Sequence, residues 1–528
     1  MTMNSSQLSE LARKAVRKQD WETVSACANS IVLNDPDNAE GYFLTGLAER
    51  ISNRPVRAGE AFEKALALDD NRYDAAIELA NQYSVARRNA DAAAILAKYE
   101  NKLANSPMYL DLAGTIYTEI GMAEKAWPLF VKANELQPEV DLFQANLAAC
   151  GVFLGKIDKA RDIYQGLLKR FPHHQRNHYQ LARLGKAKDD AHVQQMLSVL
   201  KETHLPPDRN IFLYYALGKE LEDLERWDES FDFYKKGGDA VCSVARYNIQ
   251  SDIKLIDTII KTCSAEWLND DAVNKTTHVS EKSPIFIVGL PRTGTTLTER
   301  IVSSHSQVET LGETQFLQMV LRRESGVQSI ENMNSEMISA VAKVDPVEIA
   351  KGYMESVSYR LGNESFFIDK LPFNFLFLGF IAKAWPNARI IHLGRNPMDA
   401  CFSMYKQVFT WAYKFSYSLD GLGQYYVAYD RLRNHWRDVL GDRLIEVEYE
   451  TLVSDTENQT RRLLDKLGLD FEQACLDFDK NKAPSATASS VQIREKAHNR
   501  SINKWQRFSR QLHPLKEFLE SAGVKINE

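Results

Sequence analysis

The sequence predicts a chain of two halves, an all-α solenoid of helical hairpins followed by a three-layer α/β domain with a parallel sheet. A spacing of 34 residues recurs through the first half, which indicates repeated helical pairs. In the second half, buried apolar runs alternate with helical stretches, and the first run leads into the glycine loop "GLPRTGTT" at residues 289–296. With 528 residues, the chain is long enough for several domains.

Composition and charge argue against a nucleic-acid-binding protein, a secreted or membrane protein, and a zinc or disulfide protein. The net charge is −6, so a nucleic-acid partner has no electrostatic support. The segment "MTMNSSQLSELARKAVRKQDW" has no apolar signal core, and no stretch approaches the roughly eighteen apolar residues of a membrane helix. Six cysteines without a CxxC pair argue against a zinc site and against a disulfide framework. We therefore expect a cytoplasmic protein with no secretory signal, no membrane span and no metal.

The repeats are marked by small and aromatic residues that return at matching places. The eighth, twentieth and twenty-seventh places of a unit hold small residues, and the twenty-fourth holds an aromatic residue. Sets in phase are Gly46, Ala58, Phe62 and Ala65; Gly114, Ala126, Phe130 and Ala133; and, as a more distant copy, Gly218, Ser230, Tyr234 and Gly237. Period and pattern resemble the tetratricopeptide repeat, in which each unit is a pair of antiparallel helices. We predict about six or seven units over residues 5–240, with a poor match at 175–208.

Repeat phase is lost near Gly238, and the character of the sequence changes beyond it. Residues 241–282 predict a helical linker, with the amphipathic "IKLIDTIIKTC" followed by the polar "NDDAVNKTTHVSEKSP". Three buried strands are predicted after it, in "IFIVGL", "ARIIHLGR" and "RLIEVEY", with helices between them. Strands that alternate with helices favour a parallel sheet covered on both faces, so residues 283–528 are predicted to form the α/β domain.

The loop at 289–296 has the spacing of a phosphate-binding loop but lacks its lysine. Thr295 stands where nucleoside triphosphatases carry that lysine, whose charge acts on the β and γ phosphates. Backbone N–H groups at a helix start bind a phosphate without it, and Arg292 supplies a cation from inside the loop. The second strand ends in arginine, "HLGR", rather than in the aspartate that holds magnesium. The ligand is therefore predicted to lack a γ-phosphate and to bind without magnesium.

Several segments, in order along the chain, resemble the sulfotransferase family. "PRTGTTL" is similar to the loop that binds the 5′-phosphosulfate of PAPS (3′-phosphoadenylyl sulfate), the activated sulfate donor. "RNPMDACFSMY", "VEYETLV" and "TASSVQIREKAHNRSINKW" resemble later segments, so the resemblance covers about 245 residues. It is nearest to the tyrosylprotein sulfotransferases and to bacterial chains that join tetratricopeptide repeats to such a domain. The implied fold is a P-loop sulfotransferase domain that uses PAPS as co-substrate and releases PAP.

The resemblance also implies which residues bind the donor. The matching residues are, for the 5′-phosphosulfate, Arg292, Thr293, Gly294, Thr295 and Thr296; for the 3′-phosphate, Arg395 and Ser403; near the adenine, Tyr449; in a loop that closes over the nucleotide, Ser489, Gln492 and Arg494; and on the 5′ side, Lys504. A forked arginine and a serine hydroxyl suit a phosphate. Tyr449 equally fits a core position. The family often has a further arginine where this chain has Gln407, a change that would weaken the hold on the 3′-phosphate.

The implied general base is Glu313, in "LGETQF". A hydroxyl acceptor must lose its proton as its oxygen attacks sulfur, so a carboxylate within hydrogen-bond reach is required. The family has two consecutive glutamates at this point, and this chain has Gly312 before Glu313. The rivals are Glu309, predicted to lie on a turn before a strand, and His305, at the predicted end of a helix.

A lysine and an arginine complete the implied catalytic set. Lys370, in "IDKLPFN", matches the family lysine that stabilises charge on the bridging oxygen as the sulfuryl group leaves. Arg292 is counted as catalytic because it lies at the phosphosulfate. Asn374, one helical turn after the lysine, is a capping residue or a site residue.

The sequence leaves several functions open. The first is a PAPS-dependent sulfotransferase whose acceptor is a protein tyrosine or, alternatively, a carbohydrate, a lipid or a small metabolite. The second is a nucleotide kinase with an altered loop, and the third is a repeat scaffold with an inactive nucleotide-binding domain. The repeat groove would bind the acceptor or a partner protein, or would only orient or dimerise the chain. Because repeat surfaces and this type of domain both often pair, a homodimer is also among the expectations.

Overall fold

The computed structural model describes residues 3–103, 105–270, 282–329, 333–409, 412–487 and 489–527. By packing, the chain forms two compact units, Met1–Leu154 and Gly155–Glu528. Most of the polar stretch predicted for the linker, residues 271–281, lies outside the described residues. The predicted boundaries at 240 and 282 follow the repeat pattern and remain a prediction, whereas the packing units join the last repeats to the α/β domain.

The first unit consists of helices that keep the predicted period. The first helices of three successive hairpins begin 34 residues apart, at Ala39, Tyr73 and Pro107. Short turns separate helices that pack on each other, so neighbouring helices run antiparallel. The helices of this unit are α1 (Ser5–Arg17), α2 (Trp21–Asn34), α3 (Ala39–Ile51), α4 (Pro55–Leu68), α5 (Tyr73–Val85), α6 (Asn89–Tyr99), α7 (Pro107–Glu119), α8 (Ala123–Leu136) and α9 (Asp141–Phe153).

The small residue and the aromatic residue of a repeat meet where its two helices cross. A Cβ added to Gly114 on α7 would lie 2.8 Å from the ring of Phe130 on α8. Gly46 on α3 faces Phe62 on α4 in the same way. Both rings are buried. The glycine therefore allows the close approach that the repeat pattern predicts, and the aromatic ring fills the space that it leaves.

This contact predicts opposite effects for two alanine substitutions in the first unit. Gly114→Ala is expected to lower the free energy of unfolding by about 1–3 kcal/mol, because the new methyl group overlaps a buried ring. Gly59→Ala, on α4, is the control, since a Cβ there meets nothing within 4 Å. It is expected to raise the free energy by about 0.5–1 kcal/mol through helix propensity. Chemical denaturation measures both, and an equal effect of the two changes would contradict the packing argument.

The second unit begins with further helical hairpins. α11 keeps the 34-residue spacing but is only nine residues long, which accounts for the poor match at 175–208. The predicted amphipathic helix of the linker is present as α15. The helices of this part are α10 (Ile157–Arg170), α11 (Gln175–Arg183), α12 (Ala191–Thr203), α13 (Ile211–Asp223), α14 (Trp227–Val244), α15 (Ile249–Thr262) and α16 (Ala265–Leu268).

A five-stranded parallel sheet forms the centre of the second unit. The strands are β1 (Ser283–Gly289), β2 (Val308–Thr310), β3 (Phe366–Asp369), β4 (Arg389–Gly394) and β5 (Leu444–Glu448). Their order is β2-β3-β1-β4-β5, and all pairs are parallel. Strands β1, β4 and β5 are the three that the sequence predicts. It misses β2 and β3, because runs of three and four residues are too short to show a periodicity.

Helices cover both faces of this sheet, which confirms the predicted three-layer α/β class. Ile285 and Ile287 of β1 pack on one face with Ile301, whereas Phe286 and Val288 pack on the other face. The latter core also includes buried residues of α11 to α14, such as Tyr215. The helices are α17 (Thr295–Val302), α18 (Phe316–Glu324), α19 (Ser335–Val341), α20 (Pro346–Val357), α21 (Leu378–Ala384), α22 (Pro397–Tyr405), α23 (Leu419–Leu440), α24 (Tyr449–Ser454), α25 (Thr456–Lys466) and α26 (Ser509–Ser521).

The strand order reverses at β1, which lies between β3 and β4. The chain passes from β1 to β2 and β3 on one side and then crosses to β4 and β5 on the other. In open parallel sheets, ligands bind at the carboxyl ends of the strands beside such a reversal. The loops after β1 and β4 meet at this place. Within the described ranges, no helix combines the length and the apolar character required to cross a membrane.

Candidate active site

Each strand of the sheet is followed at its carboxyl end by one of the predicted site residues. Arg292 follows β1, Glu313 follows β2, Lys370 follows β3, Arg395 follows β4, and Tyr449 follows β5. Parallel strands end at the same edge, so the fold gathers residues that are far apart in the chain. The candidate active site is therefore this carboxyl edge of the sheet.

The loop between β1 and α17 is compact because glycine occupies two crowded positions. Gly289 has a φ of +144°, and a Cβ there would lie 2.6 Å from the carbonyl oxygen of Leu393 on β4. Gly294 has a φ of +101°, and a Cβ there would lie 2.6 Å from the Tyr449 ring. The Thr293 hydroxyl donates a hydrogen bond to the Leu290 carbonyl at 2.7 Å. Helix α17 starts directly after the loop, so its first N–H groups are available to an anion.

Arg292 connects this loop to the C-terminal segment. Its backbone adopts a φ of +69°, which is uncommon for arginine, and its guanidinium donates hydrogen bonds to the Ser489 hydroxyl and to Gln492 Oε1, the latter at 2.9 Å. The Thr296 hydroxyl lies 3.5 Å from that of Thr487. The segment that the sequence predicts to close over the nucleotide thus lies against the phosphate loop.

Positive charge is concentrated at the same place. Burial, together with the charges of Arg395 and Arg183, lowers the pKa of Arg292 to about 10. Arg183 belongs to repeat helix α11. Like charges that approach each other in a poorly solvated site favour binding of an anion.

Arg395 is a buried arginine with an unused donor. Its guanidinium donates to the carbonyl oxygens of Arg292 and Ser501 at 2.8 and 2.7 Å and lies 4.6 Å from the centre of the Tyr449 ring. Among the described residues, its Nε and the indole nitrogen of Trp505 are buried donors without an acceptor. Buried donors are normally satisfied, so these two fit a site for an anionic ligand.

Lys370 is completely buried and lies between two carboxylates. Its Nζ is 2.5 Å from Glu313 Oε1 and 3.5 Å from Glu299 Oε2. Burial alone would lower the pKa of Lys370, but the charges of Glu313 and Glu299 outweigh it and raise the pKa above the ordinary lysine value. Glu299 is buried and accepts a hydrogen bond from the Thr310 hydroxyl at 2.7 Å. The Glu313 side chain is 38% exposed, so it can meet a molecule from solvent.

The two alternative candidates for the general base, Glu309 and His305, form hydrogen bonds with residues other than Lys370. Glu309 lies within strand β2 and not on the predicted turn. The prediction was wrong because this edge strand is too short to be recognised in the sequence. Its carboxylate accepts hydrogen bonds from Lys282 at 2.8 Å and from the backbone N–H of Gly362 at 2.7 Å. His305 is buried beyond the end of α17, with one ring nitrogen 3.0 Å from the Asp470 carbonyl and the other 3.1 Å from the Gln307 amide. Neither residue contacts Lys370 through these bonds.

Sequence reasoning missed Glu299 and Asp369. Asp369 ends β3 next to Lys370 and accepts hydrogen bonds from the hydroxyls of Thr314 at 2.8 Å and Tyr353 at 2.7 Å. Asn374 donates to it at 3.2 Å, so Asn374 supports the end of the strand. Burial raises the pKa of Asp369 to about 6.

The signal for both residues was present in the sequence. Glu299 lies one helical turn after Thr295, on the same side of α17, and Asp369 directly precedes Lys370 in "IDKL". A buried acid beside a predicted catalytic lysine could have been proposed from this spacing.

Several other predicted donor residues lie beside the repeats of the second unit. Lys504 Nζ is 3.3 Å from Glu222 Oε1 on α13, and Lys406 Nζ is 2.8 Å from the same carboxylate. Gln407 donates to the Tyr179 hydroxyl on α11 at 2.9 Å, and Ser403 is half-buried one turn earlier on α22. These contacts do not test the predicted roles in donor binding, which remain predictions.

Arg494 also lies against the repeats. Its guanidinium packs on Gly155, which has a φ of +76° in the turn before α10, where a Cβ would overlap it. Like Lys504, Arg494 is therefore held by the repeat side of the second unit.

A cavity of about 640 Å³ has Arg395 among its lining residues. Its charged lining comes mainly from Arg433, Arg437, Glu448 and Glu450, and no residue of the phosphate loop takes part. Arg433 and Arg437 are already paired with Glu446 at 3.0 and 2.8 Å. The cavity therefore borders Arg395 but does not include the loop to which the sequence assigns the phosphosulfate. In the parts of the chain that the structure describes, no cluster of three or more histidine, cysteine or acidic side chains has the arrangement of a metal site.

The comparison with protein families decides the class of the second half. Residues 284–473 match the model described as the sulfotransferase family. The second half of the chain therefore contains a segment that resembles the sulfotransferase family. The match spans the sheet from β1 to β5 and contains the loop, Glu313, Lys370 and Arg395.

Two curated relatives match this chain over different lengths. An uncharacterized protein of Aquifex aeolicus is 28% identical over 82% of this chain and 57% of its own length. The protein-tyrosine sulfotransferase of Drosophila melanogaster is 23% identical over 46% of this chain and 50% of its own length. The chain thus spans about half the length of these relatives. Among solved structures, the sulfotransferase domain of the Synechococcus PCC 7002 olefin synthase is 21% identical, with a TM-score of 0.34, over 48% of this chain and 100% of that domain.

Proposed function

We propose that the chain is a sulfotransferase that transfers the sulfuryl group of PAPS to an acceptor hydroxyl. The observation that carries this proposal is the contact between Lys370 and Glu313. A partly exposed carboxylate touches a buried ammonium group at the sheet edge where a phosphate loop without lysine begins. The family match of residues 284–473 supports it.

On the donor side, we assign the phosphosulfate to the loop of residues 292–296 and the start of α17. The unused Nε of Arg395 would bind the 3′-phosphate together with Ser403, and Tyr449 would lie near the adenine. Ser489, Gln492, Arg494 and Lys504 would close the site from the C-terminal segment. Strand β4 is followed by Arg395 and not by an aspartate, which supports donor binding without magnesium.

In the proposed transfer, one side chain accepts the proton of the acceptor and another stabilises the negative charge of the leaving group. Glu313 takes the proton of the acceptor hydroxyl, whose oxygen forms the new bond to sulfur. The bond between sulfur and the bridging oxygen of the 5′-phosphate breaks, and Lys370 stabilises the negative charge on that oxygen. PAP leaves with the electron pair of the broken bond. To contact the acceptor hydroxyl, the Glu313 carboxylate must move away from Lys370. The ion pair between Lys370 and Glu299 remains when it moves.

We propose a tyrosine hydroxyl of a protein or peptide as the acceptor. The relative from Drosophila melanogaster is named a protein-tyrosine sulfotransferase. Half-buried aromatic rings also gather near the proposed base: the centre of the Tyr413 ring lies 4.5 Å from that of Phe373 and 4.8 Å from that of Phe409. Burial and the charge of Glu313 raise the pKa of Tyr413. An incoming phenol ring would pack on this surface.

The helical repeats would bind the protein that carries this tyrosine, because stacked helical hairpins offer an extended binding surface. A hydroxyl of a carbohydrate, a lipid or a metabolite is the alternative acceptor. Pools of tyrosine-containing peptides, sugars and lipids offered with radiolabelled PAPS would separate these acceptors.

Calorimetric titration with PAP tests the donor site. The full chain is expected to bind PAP equally well with and without EDTA. Arg395→Ala is expected to weaken binding by about tenfold to a hundredfold, because charge-assisted hydrogen bonds to a phosphate are lost. Arg389→Ala is the matched control. It removes an arginine at the opposite end of β4, whose guanidinium lies over the Phe366 ring, and it is expected to leave PAP binding unchanged.

Other results of this titration would point to the alternative functions. Binding of ATP with magnesium, but not of PAP, would replace the sulfotransferase by a kinase. Binding of PAP without transfer from PAPS to any acceptor pool would favour a scaffold with an inactive domain.

A further inference from the structure

The last repeats form one side of the region that surrounds the proposed donor site. Helices α11 to α14 share a hydrophobic core with the sulfotransferase domain. Polar contacts on this side join Gln407 to Tyr179, and join Lys406 and Lys504 to Glu222. The repeats of the second unit are therefore in a position to contribute side chains to the donor site itself.

Two residues beyond the end of α22, Gln407 contacts α11, and this contact brings an arginine to this place. Gln407 lies one helical turn after Ser403, and its amide donates to the Tyr179 hydroxyl at 2.9 Å. The Arg183 guanidinium lies over the Tyr179 ring, 5.3 Å from its centre. The Gln407 amide carries no net charge, and the neighbouring Lys406 is paired with Glu222, so the arginine of the repeat helix adds a positive charge at this point.

Arg183 also acts on the phosphate loop. Burial and, after it, the charges of Arg395 and Arg183 lower the pKa of Arg292. The contacts agree with this electrostatic effect. Arg395 donates to the Arg292 carbonyl, and the stretch from Arg395 to Gln407 leads to the Tyr179 contact beside Arg183. Three arginines, from α11, the loop after β1 and the end of β4, thus lie around one region. Such convergence is unfavourable without an anion, and the buried Nε of Arg395 has no acceptor among the described residues.

We propose that Arg183 of the repeat region binds a phosphate group of the donor nucleotide alongside Arg292 and Arg395. The inference rests on the proposed function and extends it. Repeats and sulfotransferase domain would then form one catalytic unit, in which the donor site is incomplete without α11.

Calorimetric titration of the full chain tests this proposal with two variants of one helix. Arg183→Gln is expected to weaken PAP binding about tenfold or more, because a charge-assisted hydrogen bond is lost. Arg176→Gln is the matched control, since Arg176 is exposed on the same helix and has the same charge. It is expected to bind PAP as the original chain does. Thermal unfolding of both variants checks that each is folded.

A parallel titration with adenosine 5′-monophosphate identifies the phosphate. Weakening for PAP alone assigns Arg183 to the 3′-phosphate, and equal weakening for both nucleotides assigns it to the 5′ side. Both results support the proposal. Unchanged PAP binding in a folded Arg183→Gln variant overturns it, as does equal weakening in Arg176→Gln. A failure of the unsubstituted chain to bind PAP would instead overturn the proposed function.

Discussion

Glu313→Gln is expected to slow sulfuryl transfer by about a hundredfold to ten-thousandfold, because an amide cannot accept the proton of the acceptor hydroxyl. Glutamine keeps the shape of the side chain and a carbonyl oxygen that can still meet Lys370. The affinity for PAP is expected to stay unchanged, since Glu313 belongs to the acceptor side of the proposed site. The measurement is transfer of label from PAPS to tyrosine-containing peptides, together with a PAP titration of the same variant.

Glu309→Gln is the matched control for this prediction. Glu309 lies four residues earlier, and its carboxylate is bound to Lys282 and to the Gly362 amide. Its replacement is expected to leave the transfer rate within a few-fold of the original. If Glu309→Gln abolished transfer and Glu313→Gln preserved it, the assignment of the base would be wrong.

Lys370→Met is expected to have two effects at once. The transfer rate should fall by about a hundredfold to a thousandfold, because the charge on the leaving oxygen loses its partner. The free energy of unfolding should fall by about 3–5 kcal/mol, because the buried carboxylate of Glu299 loses its counter-charge. Denaturation and the peptide-transfer assay measure the two effects separately.

A double variant separates catalysis from stability at this lysine. Adding Glu299→Gln to Lys370→Met removes the uncompensated buried charge, so much of the lost stability should return. The transfer activity should not return with the stability, because neither the methionine at position 370 nor the amide at position 299 supplies a positive charge to the bridging oxygen. Recovery of both properties would mean that Lys370 acts only through the stability of the fold.

The periodic parts of the fold could be predicted from the sequence because their pattern is local. The repeat of Gly114 and Phe130 reflects a contact within one hairpin, so its spacing repeats with the hairpin. Strands β1, β4 and β5 are long enough to appear as apolar runs. β2 and β3 are not, because their few residues acquire strand structure only by pairing with neighbours that are distant in the chain.

Some residues of the candidate site could be predicted from the sequence, and others could not. The loop of residues 289–296 is recognisable because its function requires neighbouring residues at one spacing. Glu299 and Asp369 were missed because the spacing that marks them becomes informative only with their burial beside Lys370, which depends on the fold. The prediction that Glu309 lies on a turn was wrong because Glu309 belongs to β2, one of the two strands that are too short to be recognised in the sequence.

The amino-acid pattern alone determines that helical repeats precede a parallel α/β domain, and that a glycine loop with the spacing of a phosphate loop, but without its lysine, opens that domain. Tertiary structure alone decides that the last repeats pack into the same unit as this domain, and that Glu299, Lys370 and Glu313 form one charged group. The physical reason is the range of the interactions. Periodicity and loop spacing are set by contacts within a few turns of chain, whereas buried charge pairs join residues whose proximity depends on the order of the strands.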